Sequence, residues 1–321
     1  MERMELKTNY LGLNLDSPIV VSACTLSMDV AHIRKMEDSG AGAVVLFSLF
    51  EEQFKKGKEL SLETSGFFPD LDKYHVTSDR YIEIIQQAKK TVNIPIIGSL
   101  NGITEHGWLN FAKEIELAGA DALELNIFYI PGDIRLSAED VELRYVSVLQ
   151  KVKEIIKIPV SVKLNPYFSS TGYMLKRLEE AGADGLVLFN RFYQADVDIH
   201  NLKLLSNLAY SDANEIRLPL MWIGLLYGKI RASLGASSGV QSSREVIKYL
   251  LAGADVAMTA SALYKHGIEY IKIMNIELEQ WMEQQHFKSI QAFRGSLSLQ
   301  HISDPSAYER ANYIKILESK K

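Results

Sequence analysis

The sequence predicts an α/β fold, a (β/α)8 TIM barrel with an N-terminal β-hairpin and insertions after strands two and six. Three observations predict it. Four times a helix-like run closes on Gly-Ala-Gly or Gly-Ala-Asp and passes at once into an apolar run, at Gly40, Gly119, Gly182 and Gly253. A glycine in the left-handed conformation is a common end for a helix. Three further apolar runs open on proline, at Pro18, Pro95 and Pro159, and proline is tolerated at the first residue of a strand. The runs are continuously apolar, as expected of parallel strands buried on both faces. The rival, an open doubly wound sheet, would carry GxGxxG after its first strand, and here that strand runs into SACTLSMD.

The elements follow in order. Residues 5–17 read as a short hairpin, 18–23 (PIVVSA) as strand one and 28–39 as its helix. Strand two is 42–47, followed by a long mixed segment, 48–77, of the length that is usually functional inside a compact domain. A helix at 78–91 leads to strand three (94–99), and a helix at 104–118 leads to strand four (122–126). The loop IFYIPGDIRLS precedes a helix at 138–156, then strand five (159–164), a helix at 170–181 and strand six (185–190). An excursion over 191–229 carries at least one helix. Strand seven is expected at 230–236, a helix at 242–252, strand eight at 255–260, and a helical, polar-faced tail from 262. No linker or low-complexity stretch divides residues 1–321, which read as one barrel domain.

Composition narrows the function. The 321 residues are 47% hydrophobic and 23% charged, which is ordinary for a globular protein. A net charge of -5 argues against general nucleic-acid binding. No run reaches the roughly 18 apolar residues of a membrane span, and MERMELKTNY holds no apolar signal core. The single cysteine, Cys24, rules out an internal disulfide and agrees with a reducing compartment, so a cytoplasmic protein is expected. The seven histidines are scattered, without a metal-ligand spacing.

In a barrel the chemistry lies at the C-terminal ends of the strands. Those ends carry Ala23-Cys24, Ser99 and Asn101, Asn126, Lys163, Asn190-Arg191, Ser238-Gly239 and Ala260-Ser261. The asparagines and the lysine are hydrogen-bonders suited to a ligand with carbonyl and ring-nitrogen groups. The small residues after strands seven and eight let backbone N–H groups approach an anion, at the commonest phosphate position of such barrels; tight turns that need small residues for packing alone are the bland alternative. Lys163, inside VSVKL, must face the barrel mouth or be buried at a cost. Asn126 and Asn190 fit either a ligand or a polar tie between strands. Arg191 fits either an anion clamp or a loop cover. Cys24 reads as a packing residue, because no histidine is placed to activate it. The tyrosines and Trp222 at helical spacing read as core.

Taken together these residues resemble the dihydroorotate dehydrogenase family, and its soluble class 1 branch above all. The resemblance rests on ELN at 124–126, VSVKLNPYF at 160–168, Asn190, and SSGVQSSREVIKYLLAGADVAMTASALYKHG at 237–267, and it leaves out the tail DPSAYERANYIKIL. It implies FMN as cofactor. Lys163 would contact the N1–C2 carbonyl edge of the flavin and stabilise its anionic reduced form. Ser238-Gly239 and Ala260-Ser261 would cradle the phosphate. Ala23 and Cys24 would border the ring, with Ser99 and Asn101 near it, and Asn126 and Asn190 would bond flavin and substrate. The same branch is commonly dimeric, which suggests a homodimer. No membrane or nucleic-acid partner is implied, and the chain lacks the cysteines for an iron–sulfur cluster of its own.

The departures from the family pattern are equally specific. Where the family has Asn-Leu-Ser-Cys-Pro-Asn, with Cys or Ser as the base, this chain has Asn126-Ile127-Phe128-Tyr129-Ile130-Pro131, so Tyr129 holds the base position. Tyrosine, with a solution pKa of about 10, is a poor base without tuning. Phe47 replaces a lysine, Arg191 a serine, and Ala236-Ser237-Ser238-Gly239 the usual Gly-Thr-Gly-Gly; LSLETSGFFPDLDKY has no counterpart of the substrate-binding Asn-x-Met-Gly-Leu-Pro-Asn. Phe47, Phe67, Phe68, Phe128 and Tyr129 are expected to make the mouth more aromatic. The expectation is an FMN-dependent oxidoreductase acting on a planar unsaturated substrate other than dihydroorotate, with Tyr129 as a proton donor and Arg191 holding an acidic group. Two alternatives stay open: a non-catalytic binder of flavin or another phosphorylated ligand, and a sugar-phosphate lyase or aldolase with Lys163 as its Schiff base.

Overall fold

A computed structural model of the chain describes residues 4–50, 77–101, 105–191, 195–205, 209–308, 310 and 312–319, with the backbone alone for 105–108. The chain opens with an antiparallel hairpin, β1 (Thr8–Tyr10) and β2 (Leu13–Leu15), joined by Leu11 and Gly12. Both turn residues have positive φ, 57° and 76°, which is the two-residue turn that matches strand twist. Then come β3 (Ile19–Val21), β4 (Ala43–Val45), the two-residue β5 (Leu49–Phe50), β6 (Ile96–Asn101), β7 (Ala122–Asn126), β8 (Val160–Leu164) and β9 (Gly185–Leu188). A second hairpin, β10 (Asp196–Asp198) with β11 (Lys203–Leu205), is followed by β12 (Ser233–Ala236) and β13 (Val256–Thr259).

Eight of these strands pair in parallel in the order β4-β3-β13-β12-β9-β8-β7-β6, and β4 pairs with β6 to close the cylinder. Around it run α1 (Val30–Asp38), α2 (Ser78–Thr91), α3 (Glu105–Leu117), α4 (Ala138–Ile155), α5 (Thr171–Glu180), α6 (Arg217–Leu226), α7 (Ser243–Ala252) and α8 (Ser261–His266). The chain continues through α9 (Tyr270–Gln284) to α10 (Asn312–Glu318). This is the (β/α)8 barrel the sequence predicts. Among the described residues no helix is long and apolar enough to cross a membrane.

The junction signature has a physical basis. All four glycines have positive φ: 86° at Gly40, 97° at Gly119, 102° at Gly182 and 119° at Gly253. The aspartate two residues on is a latch. Asp121 Oδ2 accepts the Ile96 N–H at 2.8 Å and the Lys89 ammonium at 2.7 Å. Asp184 Oδ2 accepts the Val160 N–H at 2.8 Å and the Lys153 ammonium at 2.6 Å. Asp255 Oδ2 accepts the Leu234 N–H at 2.7 Å, and its other oxygen pairs with Arg294. The first junction has glycine instead, because a Cβ on Gly42 would lie 2.0 Å from the Ser17 carbonyl oxygen. The prolines give up a donor but keep an acceptor, since Pro18, Pro95 and Pro159 accept from Ala257, Val44 and Leu123.

The structure departs from the expected boundaries in places. Strand seven begins at Ser233 rather than 230, because the N–H groups of Arg231 and Ala232 donate to Glu179 Oε1 at the end of α5 and not to the ladder. The 191–229 excursion holds the β10–β11 hairpin as well as a helix. The tail is not polar-faced throughout: α9 buries Ile271, Met274, Leu278 and Met282, and Trp281, Phe287 and Phe293 cluster beyond it. The insertion after strand two lies largely outside the described residues.

The barrel interior has its own apolar cluster. Val20, Ala43, Ile97, Ala122 and Val256 fill it, and Tyr10, Leu11 and Leu15 of the first hairpin plug its lower end. Replacing Asp184 by Ala strands the buried Val160 N–H and is expected to cost about 2 kcal/mol. Asp184→Asn keeps an acceptor and is expected to lose less. Urea unfolding of the two variants beside the parent measures the difference.

Candidate functional site

At the C-terminal ends of the strands lies a cavity of about 560 Å³, within the usual size of a small-molecule site. It gathers residues far apart in sequence. Ala23 and Cys24 come from the end of β3, Lys163 from β8, and Asn190 and Arg191 from the end of β9. Ser238 and Gly239 follow β12, and Ala260 and Ser261 follow β13. Ser99, Asn101 and Asn126 are buried at the tops of β6 and β7, at the same end of the barrel but outside the cavity lining. Ser99 and Asn126 join it through a polar chain. Ser99 and Ser48 share a hydrogen bond of 2.8 Å, Asn126 Nδ2 lies 3.5 Å from Ser48 Oγ, and Asn190 Nδ2 donates to Asn126 Oδ1 at 2.6 Å. Both asparagines thus serve as a tie between strand tops, and Asn190 also faces the cavity.

Lys163 is buried, as its apolar neighbours require, and it is not unpaired. Its ammonium donates to Ser22 Oγ at 3.2 Å and sits 3.7 Å from Glu124 Oε1. The side chains are 7% and 1% exposed. Strand register explains the meeting: Asn126 lies opposite Lys163 and Glu124 opposite Ser161, so Glu124 and Lys163 are diagonal neighbours inside the barrel. At 3.7 Å the contact is electrostatic rather than a hydrogen bond. Among the described residues neither Glu124 oxygen has a hydrogen-bond partner, nor do the nearby Tyr10 hydroxyl and Ser161 Oγ. Burial raises the Glu124 carboxyl above its usual range, and Lys163 pulls it back. Removing one partner of such a pair costs about 3–5 kcal/mol. Sequence reasoning missed Glu124, although its signal was the same as that of Lys163: a charge inside an apolar strand, ALELN.

The turns after β12 and β13 are built for close approach. Ser238 and Gly239 have φ of 77° and 75°. A Cβ on Gly239 would meet Ile216 Cγ2 at 2.6 Å and Ile216 N at 2.8 Å, so only glycine fits there. Among the described residues the main-chain N–H groups of Ser238, Gly239, Ala260 and Ser261 donate to no protein acceptor, while they border the cavity. Beside them Ser211 donates to Ser261 Oγ at 3.0 Å, and Lys265 donates to the Ser211 carbonyl at 2.9 Å and to Gln241 Oε1 at 2.7 Å. Ser211, Gln241 and Lys265 also escaped the sequence reading, since no motif marks them. Free donors at one end and a lysine at the other suit a ligand with a phosphate and an electron-rich ring. By these features the donor set fits FMN, the cofactor implied by the resemblance.

Other candidates have different surroundings. Arg191 lines the cavity but donates to Glu215 Oε2 at 2.7 Å and to the Ala209 carbonyl, so it ties the loop as well as bordering the site. Tyr129 lies outside the cavity lining and carries the Arg144 guanidinium 4.2 Å above its ring. Phe47 does not make the mouth aromatic: it is buried and packs edge-on against Tyr81, with ring centroids 5.0 Å apart. Phe67 and Phe68 lie outside the described residues. Trp222 is only partly buried at the core edge, whereas Tyr81, Tyr145 and Tyr249 are buried in full. Burial pushes the Tyr145 hydroxyl up to about 12, and the Asn165 amide donates to it at 2.8 Å. Among the described residues no group of three or more His, Cys, Asp or Glu could hold a metal ion.

An eight-stranded parallel barrel with a buried lysine and two small-residue turns at its mouth defines a (β/α)8 protein with a small-molecule-sized cavity at the C-terminal ends of its strands. The chain belongs to the dihydroorotate dehydrogenase family, whose model matches residues 73–282. It is 26% identical over 293 residues to the catalytic subunit of dihydroorotate dehydrogenase B (NAD(+)) from Methanocaldococcus jannaschii, covering 88% of this chain and 94% of that protein. To the protein of the same description from Thermoplasma volcanium it is 25% identical over 307 residues, 91% of this chain and 98% of the relative. The Pyrococcus furiosus counterpart is 24% identical over 298 residues, again 91% and 98%.

Burial raises the Cys24 thiol above its ordinary pKa, more than Lys163 and the neighbouring backbone lower it. The folded protein therefore holds less thiolate than the unfolded chain at any pH near neutrality. Iodoacetamide at pH 8 is expected to alkylate folded Cys24 more slowly than the urea-unfolded chain, read by mass spectrometry of timed aliquots.

Proposed function

We propose that this protein is an FMN-dependent oxidoreductase that moves a hydride between the flavin and a planar, unsaturated small molecule other than dihydroorotate. The observation that carries the reading is the single cavity that joins Lys163 to the unpartnered N–H groups of the Ser238-Gly239 and Ala260-Ser261 turns. The names of its relatives agree with the redox class. Bound FMN supplies a hydride-accepting N5. The chain supplies the rest. The two turns hold the phosphate by backbone donors, Lys163 places a cation at the ring edge where negative charge collects, and Asn190, fixed by Asn126, offers its amide to ring or substrate.

The substrate half of the reading rests on Tyr129. It takes the position of the family's Cys or Ser base, under Arg144 and off the cavity wall, an arrangement that gives dihydroorotate no base. A flavin-binding barrel without turnover is the second reading, favoured by the same observation. The electron acceptor comes from outside the chain.

The visible spectrum decides first. Protein loaded with FMN and desalted is expected to keep a near-stoichiometric flavin spectrum that dihydroorotate does not bleach. A colourless protein would overturn the reading. Lys163→Ala is expected to weaken FMN binding at least about tenfold, measured by quenching of flavin fluorescence.

A further inference from the structure

The FMN reading gives Lys163 a task and leaves Glu124 without one. Glu124 is a costly group in an otherwise apolar barrel interior: its side chain is 1% exposed and, among the described residues, neither oxygen has a hydrogen bond. An apolar residue of similar volume is often neutral or stabilising in such a place. Nor is the barrel closed through Glu124, since β7 pairs with β6 and β8 along its backbone. What Glu124 reaches is Lys163 Nζ at 3.7 Å, on the side away from the cavity that Lys163 lines. Ser22 Oγ, at 3.2 Å, is the only other group to which that ammonium donates among the described residues.

We infer that Glu124 is a positioning residue for the cofactor: through its charge 3.7 Å behind Lys163, it sets how much positive field reaches the ring and hence how readily the bound flavin accepts electrons. The inference rests on the FMN reading. A lysine alone in a dry barrel mouth would stabilise the reduced, anionic ring by its full charge. A carboxylate behind it cancels part of that field, and little water screens either group. The pair therefore acts as a fixed attenuator. Its strength depends on a separation set by strand register, in which Glu124 and Lys163 lie on facing strands two residues out of step. The Tyr10 and Tyr81 phenols feel the charge of Glu124, and Ser99 and Ser161 lie opposite it on the neighbouring strands; none of the four carries a countercharge.

Sulfite reads this field directly, because it adds to flavin N5 and leaves a negative charge on the ring. In FMN-loaded protein, Glu124→Gln is expected to keep FMN and to tighten sulfite binding at least about tenfold, with the midpoint potential rising in step. Tenfold in a two-electron equilibrium is about 30 mV. Glu124→Asp keeps the charge but draws it back from Nζ, and is expected to shift the sulfite affinity the same way by a smaller factor; it also serves if the glutamine variant does not fold. An unchanged or weaker sulfite affinity in folded, FMN-loaded Glu124→Gln, or in Glu124→Asp alone, would overturn the inference and leave the FMN reading standing. A parent protein that holds no FMN would overturn both.

Discussion

The register of neighbouring strands is the constraint on which the rest of this molecule depends, and it is held by carboxylates at the helix–strand junctions. Asp121, Asp184 and Asp255 each lie between a helix and a strand and reach sideways to an N–H at the start of the strand before. Each also takes a cation from a helix or from the tail. Glu37, Glu116 and Glu179 add a second tie, accepting the amides that precede β6, β8 and β12. Apolar packing alone would tolerate a strand sliding along its neighbour. A charged acceptor aimed at one particular amide does not, since a shifted register leaves both buried and unpaired.

Register in turn decides what meets inside the barrel. Side chains two apart on a strand share a face, so fixing Asn126 opposite Lys163 also fixes Glu124 two residues below it. The interior is otherwise apolar and stoppered by Tyr10, Leu11 and Leu15. Electrostatic effects reach far in such a medium, so a pair that would count for little on the surface counts for more inside the barrel. Fold and site chemistry are joined here: the latches at the bottom of the barrel set the geometry of the charges at the top.

How much of this was legible in the sequence depended on range. Left-handed glycines and strand-opening prolines are local requirements, and Gly40, Gly119, Gly182, Gly253, Pro18, Pro95 and Pro159 betrayed them. The continuous apolar runs then gave the barrel. Lys163 was visible because a charge inside VSVKL has no bland explanation. Glu124 in ALELN sent the same signal, but its meaning lies in a partner 39 residues away, and pairing across strands is not written in either segment. Phe47 shows the opposite failure. Its position after strand two suggested a place at the mouth, and only the packing of α2 reveals Tyr81 waiting to cover it. Arg191 was ambiguous because Glu215 lies across an excursion whose path no periodicity predicts.

The two halves of the site are carried by different kinds of connection. The turns proposed for the phosphate follow β12 and β13 directly, and the helices behind them start within a few residues, at Ser243 and Ser261. Gly239 has no room for a side chain, and Thr259 is held by the Val240 carbonyl at 3.0 Å. Few substitutions are compatible with such packing. The positions that depart from the pattern, Phe47, Tyr129 and Arg191, stand at the start of the connections after β4, β7 and β9, each much longer than a close turn. A long connection can exchange its side chains without disturbing the register below, so new substrate chemistry enters there at small structural cost. The turns after β12 and β13 are thus fixed by the packing around them, whereas the connections after β4, β7 and β9 are where the barrel leaves side chains free to vary.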